Sequence, residues 1–215
     1  MNASRESLES LPAPENPILR DAINVYKEDR FRPSVVKRTW QTIWSEWGKG
    51  EDLQVDVPYP SISDLHAADH YGDLVIMVPS GLDKKMLGRM FPQMRNYRIN
   101  AGLGENTVGN GGLLRVSTKQ SNLNQTEGYL QDVAELIGRR PISEEEYIVA
   151  SQFSKLLNGI YLDEKGFTRI AGMHEGRMGR AQFFPQGNLY MDWTISPETR
   201  QPDLGIHFVR PVATH

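Results

Sequence analysis

The chain is expected to fold as an α+β protein: a single domain with a mostly antiparallel sheet, helices packed on one side, and a β-meander towards the C-terminal end. Three observations lead there. Apolar residues recur at helical spacing through residues 17–48 and again through 126–157. Residues 166–210 instead alternate apolar and polar, or are rich in aromatic and β-branched side chains. Helical and strand-like segments lie apart along the chain, which argues against a doubly wound sheet.

The elements follow in order. Residues 1–16 are rich in Ser, Glu and Pro and nearly lack large apolar groups, so they bury too little surface to offset their ordering entropy and are expected to form a disordered tail. The domain then runs over 17–215, beginning with a helical arm at 17–48. Asn16-Pro17 reads as an N-cap followed by proline in the first turn, opening a helix over 18–29 with Ile18, Ala22, Val25 and Tyr26 at helical spacing. Pro33 and Ser34 open a second helix, in which Val36, Trp40, Ile43, Trp44 and Trp47 share a face, and Gly48 stops it.

A mixed part spans 52–165. Alternation predicts a strand at 53–57, the apolar run at 74–78 a buried strand, and 97–99 and 113–118 two more. Short helices are expected at 61–70 and 83–90, and a longer one at 126–137. Ser143-Glu144-Glu145-Glu146 is a capping box, the hydroxyl taking the third amide while Glu146 reaches back, so a helix is expected over 143–157, ended by Asn158-Gly159. The meander over 166–210 has strands at 166–171, 180–184, 189–195 and 204–209, with Pro185-Gln186-Gly187-Asn188 as a hairpin turn.

Composition narrows the function classes. The 215 residues carry 24 Lys+Arg against 27 Asp+Glu, a formal net charge of -3, and no cysteine. That length supports one sizeable core. The absence of cysteine excludes a disulfide scaffold, a cysteine-ligated metal and a thiol nucleophile. No apolar run nears the roughly 18 residues that span a bilayer, and the first residues lack the apolar stretch of a secretory signal, so a soluble, cytoplasmic protein is expected. With a slightly acidic total and no recognition-helix or RNP-like pattern, nucleic acid is not an expected partner.

The charge is segregated. Residues 1–73 hold 8 basic and 13 acidic groups, 84–119 hold 7 basic and 1 acidic, and 121–166 hold 4 basic and 8 acidic. The basic segment contains the stretch 100–112, with five glycines and three asparagines, a connection longer than most. Glycines let the backbone approach an anion closely, so Arg98, Asn106, Arg115, Ser117 and Lys119 are candidate contacts for a phosphate-bearing small molecule. The competing account is internal pairing, a basic sheet packed beside acidic helices. Gly102-x-Gly104 lacks the third glycine of a dinucleotide fingerprint, no Gly-Lys-Ser/Thr is present, and no cofactor is expected.

Three further groups are candidates. His66 and His70, four apart, would share a helix face and suit a metal ion, although no glutamate sits beside them as in a zincin. His174 and Glu175 lie among Gly172, Gly176, Arg177, Gly179 and Arg180; a histidine oriented by a glutamate would serve as an acid/base pair, the alternative being a polar turn with glycines at positive φ. Trp40, Trp44 and Trp47 form a stripe that is either core or a surface for a protein partner. No complete catalytic set emerges. The leading expectation is therefore a non-catalytic protein-protein interaction or assembly protein, and the rival is an enzyme or sensor binding a nucleotide-like molecule at 95–119.

Overall fold

Asn16 starts the first helix as the sequence requires. Its side-chain oxygen accepts from the amides of Ile18 at 2.9 Å and Leu19 at 3.4 Å, and Pro17 takes the first turn of α1 (Pro17–Asp29), where no amide is needed. The structure, a computed structural model, describes residues 16–96, 111–121 and 123–215. Residues 1–15 of the tail expected over 1–16, the strand at 97–99 and most of the stretch 100–112 lie outside the described residues; Asn16 is the helix cap. The buried face of α1 is Leu19, Ile23 and Tyr26, while Ile18 and Val25 are 50% and 46% exposed. Apolar residues lie on both sides of this helix, so packing and not periodicity selects the inner one.

In α2 (Pro33–Trp47) the expected face is the buried one, with Val36, Trp40, Ile43 and Trp44 inside, and the amide of Gly48 closes the helix on the carbonyl of Trp44. Residues 53–57 alternate in burial as a strand would, and Leu53 and Val55 pack on the core, but among the described residues the segment pairs with no neighbour and forms no ladder. Then come α3 (Ile62–Tyr71), β1 (Asp73–Val78), α4 (Lys84–Met90) capped by Asp83, a 3-10 turn (Pro92–Asn96), β2 (Gly112–Ser117) and α5 (Glu127–Leu136). The short β3 (Arg140–Pro141) precedes α6 (Glu144–Asn158), where both hydrogen bonds of the capping box are present. The C-terminal part is β4 (Phe167–His174), β5 (Arg177–Phe183), β6 (Leu189–Ile195), β7 (Leu204–Ile206) and β8 (Phe208–Pro211).

The strands divide into two sheets, ordered β1-β2-β8-β3 and β6-β5-β4-β7. The antiparallel meander β4-β5-β6 forms as expected, and β7 returns parallel to β4. The single strand expected over 204–209 is in fact two: β7 closes one sheet, the chain steps aside at His207, and β8 inserts beside β2 in the other. This α+β arrangement is knit by α6, whose residues from Glu144 to Ser154 are all buried. Phe153 of α6 meets Trp40 at 4.6 Å and Tyr26 edge-on at 5.5 Å between ring centres, joining α1, α2 and α6 into one core. Among the described residues no helix is long and apolar enough to cross a membrane.

Candidate functional site

The basic residues singled out as an anion site are placed differently by the fold. Arg98 and Asn106 lie outside the described residues. Arg115 is 3% exposed and gives Nη2 to Asp73 at 3.0 Å and Nη1 to Asp64 at 3.4 Å. Asp73 also takes Nη2 of Arg139 at 2.7 Å, and the Tyr71 ring lies within 6.0 Å of both guanidinium groups. Lys84 pairs with Glu144 and Arg89 with Glu51, each at 2.6 Å. Three cations of this segment, Lys84, Arg89 and Arg115, thus meet carboxylates of the same chain, as the internal-pairing account has it. Ser117 is also engaged inside: its Oγ accepts from the Phe208 amide at 3.0 Å. Lys119 is exposed.

The other candidates separate. His66 stacks on Phe31 with ring centres 5.0 Å apart, and His70 meets Tyr71 edge-on at 4.9 Å. Among the described residues no group of three His, Cys, Asp or Glu is placed to hold a metal ion. His174 ends β4 opposite Arg177, and Glu175 (φ 49°) with Gly176 (φ 73°) forms the two-residue turn between them. Two successive positive φ values are the mark of a type I′ hairpin. Arg180, from the same stretch, leaves for Asp192 at 3.2 Å. Trp40 and Trp44 are buried in the core and Trp47 is half-buried against Phe91, so the first two rings offer no surface to a partner.

What the fold creates instead is a cleft of about 430 Å³ between α1, α3, β1 and the C-terminal end of α6. Each wall has a local reason. Tyr26 reaches it from the inner face of α1, Leu65 and Ala68 from the buried side of α3, and Val75 from β1. α6 ends at Gly159, which at φ 76° turns the chain so that residues 160–162 close the far wall. Uncharged polar groups are spaced round the apolar floor: Thr118, Ser154 and Asn158. The Thr118 hydroxyl donates to the carbonyl of Gly72 at 2.7 Å, which ties the end of β2 to the α3–β1 corner.

Charge at this cleft cancels. Arg30 pairs with Asp69 across the mouth, and Asp73 on the wall is held by Arg115 and Arg139. Burial pushes the Tyr26 phenol well above its ordinary value, against a smaller opposing effect of the Arg30 charge, so the hydroxyl stays neutral. Behind the 160–162 wall lies a buried polar pair, Asp163 and His207.

The sequence offered no signal for the cleft beyond the Asn158-Gly159 stop. Its walls come from four separated stretches, each of which looks like ordinary core or turn by itself. No protein-family model matches this chain, and neither a curated protein nor a solved structure does.

Proposed function

We propose that the protein is a non-catalytic binding protein that takes a small, uncharged, largely apolar molecule into the cleft between α1, α3, β1 and α6. The observation that carries this reading is the lining: an apolar floor, a few uncharged polar side chains, and rim charges that neutralise one another. A volume of about 430 Å³ falls in the range of sites for small molecules, which are mostly apolar with a few placed polar groups. The floor supplies burial of apolar area, and Thr118, Ser154 and Asn158 supply orientation. Arg30, the cation among the lining residues, is already paired with Asp69, so the nucleotide alternative gains nothing from this cleft. The ionisable groups around it are engaged with each other, which favours binding over acid/base chemistry.

The test is titration with prodan, an uncharged naphthalene ketone whose emission shifts in apolar surroundings. Saturable binding is expected, and Leu157→Trp, which fills the cleft from α6, should abolish it while circular dichroism stays unchanged. Binding that does not saturate, or that survives Leu157→Trp, would remove the reading.

A second reading, an assembly protein, is favoured by α5 and the residue that follows it, where Tyr129 and Ile137 are exposed and Leu136 is 86% exposed. It requires a second copy of the chain on that helix, so sedimentation should show a dimer that Leu136→Asp dissolves; a monomer at all concentrations would end it.

A further inference from the structure

We infer that His207 is a positioning residue for the cleft: through Asp163 it holds the wall at residues 160–162, and so sets ligand affinity without touching the ligand. The inference rests on the cleft reading above.

His207 is 0% exposed and sits where the chain leaves one sheet for the other, between β7 and β8. Its Nδ1 lies 2.7 Å from the carbonyl oxygen of Ser117, and its Nε2 lies 2.9 and 3.0 Å from the two carboxylate oxygens of Asp163. A carbonyl oxygen only accepts, so Nδ1 carries a proton. Nε2 faces both carboxylate oxygens of Asp163 in a dry setting, where a polar contact is electrostatically stronger than in water. Asp163 is also buried, and its charge adds to the burial that raises the neighbouring Tyr147 phenol.

Both ends of the pair border the cleft. Ser117 precedes Thr118 and Asp163 follows Leu162, and Thr118 and Leu162 line the cleft. Residues 160–162 bridge from Gly159, the left-handed end of α6, to Asp163 and belong to no strand. In the middle of this bridge the Tyr161 ring stacks on Phe183, 4.6 Å apart and 8° from parallel, and its amide donates to Glu164 at 3.0 Å. Without the Asp163 anchor the bridge keeps that stack but loses its fixed far end, and Ile160 and Leu162, which flank the stacked ring, lose their place.

Three variants and a comparator test this by prodan affinity, melting temperature and hydrogen exchange of the 159–163 amides. Asp163→Leu deletes the anchor. His207→Asn keeps a donor towards Ser117 and drops the reach to Asp163, so it stands in if Asp163→Leu does not fold. Asp163→Asn keeps the link with the bond reversed: a neutral ring protonated on Nδ1 accepts at Nε2 from the new amide. Met178→Ala loosens the separate cluster of Met178, Ile195 and Leu204.

The expected result is a loss of about tenfold or more in prodan affinity for Asp163→Leu or His207→Asn, with Asp163→Asn within about threefold of wild type. Met178→Ala should retain affinity although its melting temperature falls. Wild-type affinity in a folded Asp163→Leu or His207→Asn overturns the inference, and so does an equal loss in Met178→Ala, which would mark general loosening. If the wild-type chain binds no prodan, the cleft reading fails by itself. The exchange data then decide the anchor: faster exchange at 159–163 in His207→Asn, by about tenfold, upholds it, and unchanged exchange overturns it.

Discussion

Trp44 donates its indole N–H to the main-chain carbonyl of Met77 at 3.0 Å. One turn earlier on α2, Trp40 does the same to Val75 at 3.1 Å. The two spacings match: four helical residues advance about 6 Å and two strand residues about 6.8 Å. β1 is an outer strand, and alternate carbonyls of such a strand face away from the ladder. α2 therefore covers an edge that would otherwise be open to pairing with another chain.

Trp44→Phe should keep most of the packing and orphan the Met77 carbonyl, at a cost of about 1–3 kcal/mol. Trp40→Ala empties a fully buried site and should cost about 3–5 kcal/mol. Urea unfolding followed by circular dichroism reads both, and an unchanged midpoint for Trp44→Phe would show that the carbonyl is satisfied without the indole.

The capping box of α6 is tied to an ion pair. Glu146 accepts from the Ser143 amide at 2.9 Å and from Arg140 at 2.8 and 2.5 Å. Ser143→Ala should cost about 1 kcal/mol. Glu146→Ala should cost more, though less than about 3 kcal/mol, because the half-exposed Arg140 can turn to water. The double variant should fall short of the sum of the singles, since both remove the same cap.

Glu145 gives a pH signature. Burial pushes its carboxyl above the ordinary range, the Glu144 charge adds to this, and Lys84 partly opposes it. A carboxyl raised in the folded state stabilises fully below its unfolded value, about 4.3, and that contribution is lost as pH rises through the folded value. Glu145→Gln removes the ionisation. Relative to wild type it should gain stability on going from acid to neutral pH, and a difference constant across that window would contradict the burial effect.

Asp192 has the opposite sign. Burial opposes its ionisation, but hydrogen bonds from Thr194, Tyr190 and Arg180 outweigh it and hold the carboxyl below the usual range. Its contribution is present above the unfolded value and is lost as pH falls through the folded one. Asp192→Asn should therefore destabilise at neutral pH and approach wild type in acid, which thermal melts across pH will show.

The β4–β5 turn tests the acid/base candidate. Glu175 sits at positive φ, where asparagine is better tolerated. Glu175→Asn should stabilise by a few tenths of a kcal/mol and leave prodan binding unchanged. A large loss of binding would return this turn to the list of functional elements.

Much of the secondary structure was legible because its causes are local. The Asn16 and Ser143 caps, the Gly48 and Gly159 stops and the Pro185–Asn188 turn each involve partners within about four residues, so residue type alone announces them. Face selection on α1 was not, because apolar residues line both sides. Nor was the division of 204–209: its apolar run suits one long strand, and the step between sheets is held by partners distant in sequence, the His207 ring meeting Asp163 and Ser117, 44 and 90 residues away, while its carbonyl accepts from the Ile142 amide.

For this chain, then, residue order by itself determined most of the helices, the β4–β6 meander and that the whole is α+β, whereas strand pairing decided that 53–57 joins no sheet among the described residues and that 204–209 serves two. Tertiary structure alone decided that Arg115 meets Asp64 and Asp73 instead of solvent, that Trp40 and Trp44 guard a sheet edge, and that four stretches enclose a cleft. The division has a physical cause: a cap or turn is satisfied within its own few residues, whereas a buried charge or a cavity wall takes its meaning from groups that only the folded chain brings together.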